Sequence, residues 1–178
     1  MDLPEAPPDS DLPPADRALG IAYRFINRRE RSVAEVRARL ERAEIPVAEI
    51  DAAIDELTQF GYLNDARYAV VFTQDKRNLE SWGNDRIARK LRERGVDCDV
   101  IDTALAENGS IGEDQPPGHG GAGSELDRAV VLLRQRFPAG PTDHRDRERG
   151  FGVLARKGYD SELAADAVRA WARSASVG

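Results

Sequence analysis

A chain of 178 residues, 40% apolar and 33% charged with a formal net charge of −6, can bury one core or several small ones, and no window approaches the roughly 18 uninterrupted apolar residues of a membrane span. One cysteine, Cys98, excludes an internal disulfide, and two histidines, His119 and His144, are too few for a Cys/His zinc site, so neither a structural metal nor a cofactor is expected. The opening MDLPEAPPDSDLPPAD has no basic stretch followed by an apolar one, which makes the cytoplasm the expected location and no membrane association expected.

Residues 1–14 hold five prolines, two leucines and four acids (Asp2, Glu5, Asp9, Asp11) with no base, a composition that reads as a disordered acidic, Pro-rich tail. Residues 108–124, NGSIGEDQPPGHGGAGS, hold six glycines and two prolines and read as a flexible linker that lets the C-terminal part of the chain move. Four more acids fall in 107–125, so the acidity of the chain belongs largely to these two segments; the remainder carries 26 bases and 24 acids.

Between these segments runs a helical period that repeats. RSVAEVRARLERAEIPVAEIDAAIDEL aligns with WGNDRIARKLRERGVDCDVIDTALAEN at an offset of 51 and with RDRERGFGVLARKGYDSELAADAVRAW at a further 63. Leu40, Leu91 and Leu154 superpose, as do Ile45, Val96 and Tyr159, then Ala53, Ala104 and Ala167, then Ile54, Leu105 and Val168. Val36 and Ile87 meet Gly150, and Leu57 meets Asn108, so the match is imperfect. Each pair is preceded by another helical run anchored at Arg17-Ala18, Arg67-Tyr68-Ala69 or Arg128-Ala129. Ser32 with Glu35 forms a capping box, Asp97 and Asp160 are N-cap candidates, and Gly61 after Phe60 suits a helix C-terminus. The predicted fold is all-α: three tandem three-helix (helix-turn-helix-like) repeats, at 15–64, 65–107 and 125–178, forming an elongated arc.

The chemistry-bearing patterns are sparse. GHGGAG at 118–123 matches a dinucleotide-binding glycine pattern literally, yet Asp-Gln-Pro-Pro stands where the preceding strand is required, so it and His119 read as linker. Asp143-His144-Arg145-Asp146 reads as a surface cluster at a helix start, with no nucleophile or second motif beside it, and the aspartates flanking Cys98 disfavour its thiolate. No enzyme is expected. Charge sorts by helix rank: the third helices, 46–60 and 97–107, each hold four acids and no base, whereas 15–31, 84–94 and 145–157 are each +3. In a stack of repeats this gives separate basic and acidic stripes, which imply an extended charged partner. A helix-turn-helix transcriptional regulator is the alternative, but its reading helix would carry Asp97, Asp99 and Asp102 toward phosphates.

Gly61-Tyr62-Leu63-Asn64-Asp65, Arg67-Tyr68-Ala69, Gly83, Arg86-Ile87, Leu91 and Gly95, with the three-repeat layout, resemble the signature of the RecX regulatory proteins. The resemblance implies an all-helical, non-enzymatic protein that binds the RecA recombinase filament, lies along its groove, and restrains recombination and RecA ATP hydrolysis in DNA repair and the SOS response. Where the basic stripe meets phosphates, contact with DNA is expected to be weak and non-specific, and the chain is expected to be a monomer. Within it Leu63, Tyr68, Ile87 and Leu91 are core candidates, while Arg67, Arg86, Arg89, Lys90 and Arg94 are the candidate filament contacts.

Overall fold

The structure, a computed structural model, describes residues 12–106 and 124–175. The expected tail up to residue 11, most of the expected linker, the GHGGAG run and His119 lie outside the described residues. Within them are nine helices and no strand: α1 (Pro14–Ile26), α2 (Val33–Glu41), α3 (Val47–Gln59), α4 (Asp65–Glu80), α5 (Asn84–Arg92), α6 (Cys98–Ala106), α7 (Glu125–Arg136), α8 (His144–Lys157) and α9 (Ser161–Ala175). The all-α expectation holds.

Local chemistry sets the helix limits. Ser32 takes an extended backbone, accepts the Glu35 amide at 3.2 Å and donates its own amide to the Glu35 carboxylate at 3.2 Å, the reciprocal pair read from the sequence. Because Ser32 must be extended, the first helix cannot run to residue 31; α1 stops at Ile26, leaving Arg28, Arg29 and Arg31 in the turn. Gly61 is left-handed (φ 74°), and the Tyr62 amide reaches back to the Leu57 carbonyl at 2.8 Å. Asp160 accepts the amides of Glu162 and Leu163 at the start of α9. Asp143 caps α8 in the same way, which gives the Asp143-His144-Arg145-Asp146 run its structural role.

The repeat seen in sequence is a repeat of backbone geometry. Leu40, Leu91 and Leu154 are all fully buried, as are Ala18, Ala69 and Ala129 in the preceding helices. Four residues after each leucine the chain turns left-handed, at Glu44 (φ 57°), Gly95 (φ 74°) and Gly158 (φ 81°). The amide of Ile45 bonds to the Leu40 carbonyl at 3.3 Å and that of Tyr159 to Leu154 at 3.1 Å, while Glu44 and Gly158 donate to Glu41 and Ala155, so the same Schellman closure ends α2 and α8. The mismatch at Gly150 is compensated within the third repeat. Gly150 stands where Val36 and Ile87 stand, and a Cβ there would lie 2.9 Å from the ring of Trp171, which occupies the position of Leu57. A large side chain on α9 thus fills the volume that the glycine on α8 gives up.

The chain divides into two compact units, one running to Tyr68 and including Glu93–Asp97, the other comprising Ala69–Arg92 and everything from Cys98 on. In the first, α1, α2 and α3 pack pairwise around Ala18, Ala22, Val36, Leu40, Ile50, Ile54, Leu57 and Leu63. In the second, α7, α8 and α9 enclose Ala129, Leu133, Leu154, Tyr159, Ala164, Ala167 and Trp171, and α5 packs on α6. Helices α5 and α6 of the second repeat share that second unit with the third repeat. The Gly83 amide donates to the Lys157 carbonyl (2.9 Å), the Lys157 ammonium to the Glu80 carbonyl (2.6 Å), and the Asn84 amide to the Glu125 carboxylate (2.8 Å). These bonds join helices of the third repeat to the second within that unit.

Candidate interaction surface

Helix α5 buries Ile87, Ala88 and Leu91 and turns the rest of its surface outward. The sequence treats its cations alike, and the structure separates them. The Arg86 guanidinium lies over the Trp82 ring, 4.1 Å from its centroid, and donates to the Arg156 carbonyl in the last turn of α8 at 3.0 Å. A cation at a helix C-terminus is held by both the free carbonyl and the helix dipole, so Arg86 fastens α5 to α8. Lys90 is half-buried. Arg89 is exposed and makes no hydrogen bond or ion pair among the described residues; Arg92, which is not among the five candidates, shares that state.

The two remaining candidates lie in the first unit. Arg94 stacks against Tyr68, 5.9 Å from the ring centroid, and donates to its hydroxyl, while the Arg94 carbonyl accepts the Ser32 hydroxyl at 2.6 Å. Burial pushes the Tyr68 hydroxyl above its ordinary pKa, and the hydrogen bond and charge of Arg94 work against that rise. Tyr68 is 5% exposed, as expected of a core residue. Arg67 is exposed and sits 3.4 Å from the Glu30 carboxylate, in an ion pair accessible enough to contribute little to stability. Its neighbour Asp65 accepts the Val33 amide at 2.9 Å, and partial burial raises its carboxyl above the usual range despite that bond. Of the five candidates, Arg86 and Arg94 are therefore bound into the fold, and Arg89 and Arg67 present charge to solvent.

These side chains can engage carboxylates or phosphates by charge and bidentate hydrogen bonding. No group of three or more His, Cys, Asp or Glu residues suited to a metal ion occurs among the described residues, Cys98 is exposed, and no described helix is long and apolar enough to cross a membrane. On α6, Asp99 and Asp102 face solvent, as does Asp97 just before it.

The patterns of two RecX domains match the chain: the first three-helix domain over residues 18–57 and the second over 64–105. The regulatory protein RecX of Mycolicibacterium vanbaalenii is 34% identical over 170 residues, covering 91% of this chain and 86% of that one. This chain belongs to the RecX family of regulatory proteins. The Mycobacterium avium member is 33% identical and covers 92% of this chain and 91% of its own. Among solved structures, RecX from Lactobacillus salivarius superposes with a TM-score of 0.71 at 17% identity, covering 89% of this chain and 96% of that one, which establishes a shared fold.

Proposed function

We propose that this RecX-family chain is a non-enzymatic regulator that binds the RecA recombinase filament in the cytoplasm and restrains its recombination and ATP hydrolysis. The observation that carries the reading is the 34% identity to a regulatory protein RecX over 91% of the chain. The contacts are made by the solvent-facing cations Arg89 in the second unit and Arg67 in the first, with the half-buried Lys90 beside Arg89, while Arg86 and Arg94 hold the supporting helices. Contact with DNA is electrostatic and indifferent to sequence. A transcriptional regulator is disfavoured because Asp97, Asp99 and Asp102 would place carboxylates against phosphates.

The test titrates the full chain against single-strand-stimulated ATP hydrolysis by RecA of the same organism. Wild-type protein is expected to inhibit, Arg89→Glu to lose most of that inhibition, and Arg67→Glu to lose part of it, with melting temperatures unchanged because both side chains are exposed. Wild-type protein that leaves the hydrolysis untouched would overturn the function. Full inhibition by a folded Arg67→Glu, Arg89→Glu double variant would overturn the contacts.

A further inference from the structure

Ile21, Arg24, Phe25 and Arg28 recur at i, i+3, i+4 and i+7 along and just past α1, forming a stripe beside the one that buries Ala18 and Ala22. With Arg39 of α2 they line a cleft of about 130 Å³ in the first unit. Its apolar lining comes from Ile21 and Phe25, and its other three lining residues are arginines, with no acid among them. The nearby Arg31 lies over the Phe25 ring at 4.0 Å and is paired with Glu35 at 3.3 Å, so its charge is already balanced. Arg28 is exposed and Arg39 half-buried, and neither has a hydrogen bond or ion pair among the described residues. Such a cleft suits a ligand that brings one small apolar group and at least two negative charges. Its volume is comparable to the ~150 Å³ cavity that takes up benzene.

The chain itself carries a segment of that chemistry. In residues 2–12, DLPEAPPDSDL, Leu3 stands between Asp2 and Glu5, and Leu12 follows Asp9 and Asp11; the segment holds four acids and no base. It joins α1 at Pro14. Eleven residues separate Leu3 from Pro14, a reach of about 36 Å at full extension, whereas Phe25 lies eleven residues along the helix, about 16 Å from its start. The segment can therefore double back along α1 to the cleft with length to spare. A tethered ligand of this kind acts at an effective concentration of about millimolar, so contacts too weak to hold a free peptide suffice in cis.

We propose that the α1/α2 cleft is a docking site for the chain's own acidic segment 2–12, with Leu3 against Ile21 and Phe25 and the flanking carboxylates on Arg28 and Arg39. Occupancy would screen the cationic end of α1 from other polyanions. The test compares backbone amide resonances of the isotope-labelled full chain with those of a full-length variant in which Asp2, Asp9 and Asp11 are changed to Asn and Glu5 to Gln. The resonances of Ile21, Arg24, Phe25, Arg28 and Arg39 are expected to differ between the two at low salt and to converge in about 1 M salt, where the Debye length falls to about 3 Å. Leu3→Ser alone is expected to move Ile21 and Phe25, and Arg28→Ala with Arg39→Ala to abolish the difference. Cleft resonances that coincide in wild type and neutralised variant at low salt would overturn the proposal. So would an oligothymidylate that binds the cleft of both equally well, since a docked segment must compete.

Discussion

Two joints between successive repeats use the same positions and different chemistry. In the first unit the Ser32 hydroxyl donates to the Arg94 carbonyl at 2.6 Å; in the second the Gly83 amide donates to the Lys157 carbonyl at 2.9 Å. Gly83 is the counterpart of Ser32 at the repeat offset of 51, and Lys157 that of Arg94 at the offset of 63. What recurs is the meeting of one helix start with the end of the equivalent helix in the next repeat. The serine reaches across with a side chain and keeps its backbone back. The glycine has no side chain to reach with, and the backbones themselves touch: a Cβ on Gly83 would lie 2.3 Å from the Gly158 oxygen and 2.5 Å from the Tyr159 nitrogen. One joint can relax by moving an atom at the end of a side chain, and the other cannot.

That contrast is broken most severely by Gly83→Ala. Its new methyl would strike three backbone atoms, so the second unit must open at the joint, at a cost of about 3 kcal/mol, the upper range for overpacking. The chain's two tryptophans, Trp82 and Trp171, both belong to the second unit, so urea unfolding followed by tryptophan fluorescence reads that unit. A midpoint within error of wild type would show that the joint yields.

The next largest effect compares the left-handed glycines of the two repeat turns that have one, Gly95 and Gly158. Gly158→Ala would place a Cβ 2.3 Å from that of Arg86 and 2.9 Å from its nitrogen, in a backbone at φ 81°; Gly95→Ala, at φ 74°, would place one 2.4 Å from the Ala34 Cβ, a single methyl fixed to its backbone, with the next atom at 3.9 Å. Losses of about 3 kcal/mol and about 2 kcal/mol are expected. Calorimetry on both variants checks the order, and a larger loss for Gly95→Ala would reverse the comparison.

Ser32→Ala should cost about 1 to 2 kcal/mol, since one hydroxyl both caps α2 and satisfies the Arg94 carbonyl. Amide hydrogen exchange in α2 gives the measurement. Protection that stays at the wild-type level through residues 33–41 would show that water replaces the hydroxyl at no loss.

The helices and their phase were legible because leucine and alanine recur at fixed offsets wherever a helix must bury one stripe, and Leu40, Leu91, Leu154, Ala18, Ala69 and Ala129 are all buried. The capping box at Ser32 was legible because it needs two residues at a fixed spacing. The joint was not. Gly83 stood out only as part of a family signature, since its role depends on Gly158, 75 residues away in sequence. The mismatch at Gly150 read as noise because its compensation by Trp171 shows only when both are seen in one core. The candidate surface was half legible for a similar reason. A count of cations on α5 cannot tell Arg86, spent on Trp82 and the end of α8, from Arg89, which meets solvent.

The smallest expected effect tests the one place where the repeat departs from glycine. Glu44 takes the left-handed turn, at φ 57°, that Gly95 and Gly158 take in the other repeats. A side chain there carries the clash of Cβ with the following carbonyl, about 1 kcal/mol, while a glycine would surrender about half that or more in unfolded-chain entropy. Glu44 is exposed, so its carboxylate contributes no buried contact that a substitution would lose. Glu44→Gly is therefore expected to stabilise the first unit by about 0.5 kcal/mol. A tryptophan signal is blind to that unit, so the readout is urea titration of the Tyr23 and Tyr62 ring resonances, whose rings meet edge to face at 5.3 Å. Stabilisation would show that the turn is dictated by the Leu40 and Ile45 closure alone. A loss instead would mean that the Glu44 side chain holds the turn, and the three closures would then be alike in geometry but not in cause.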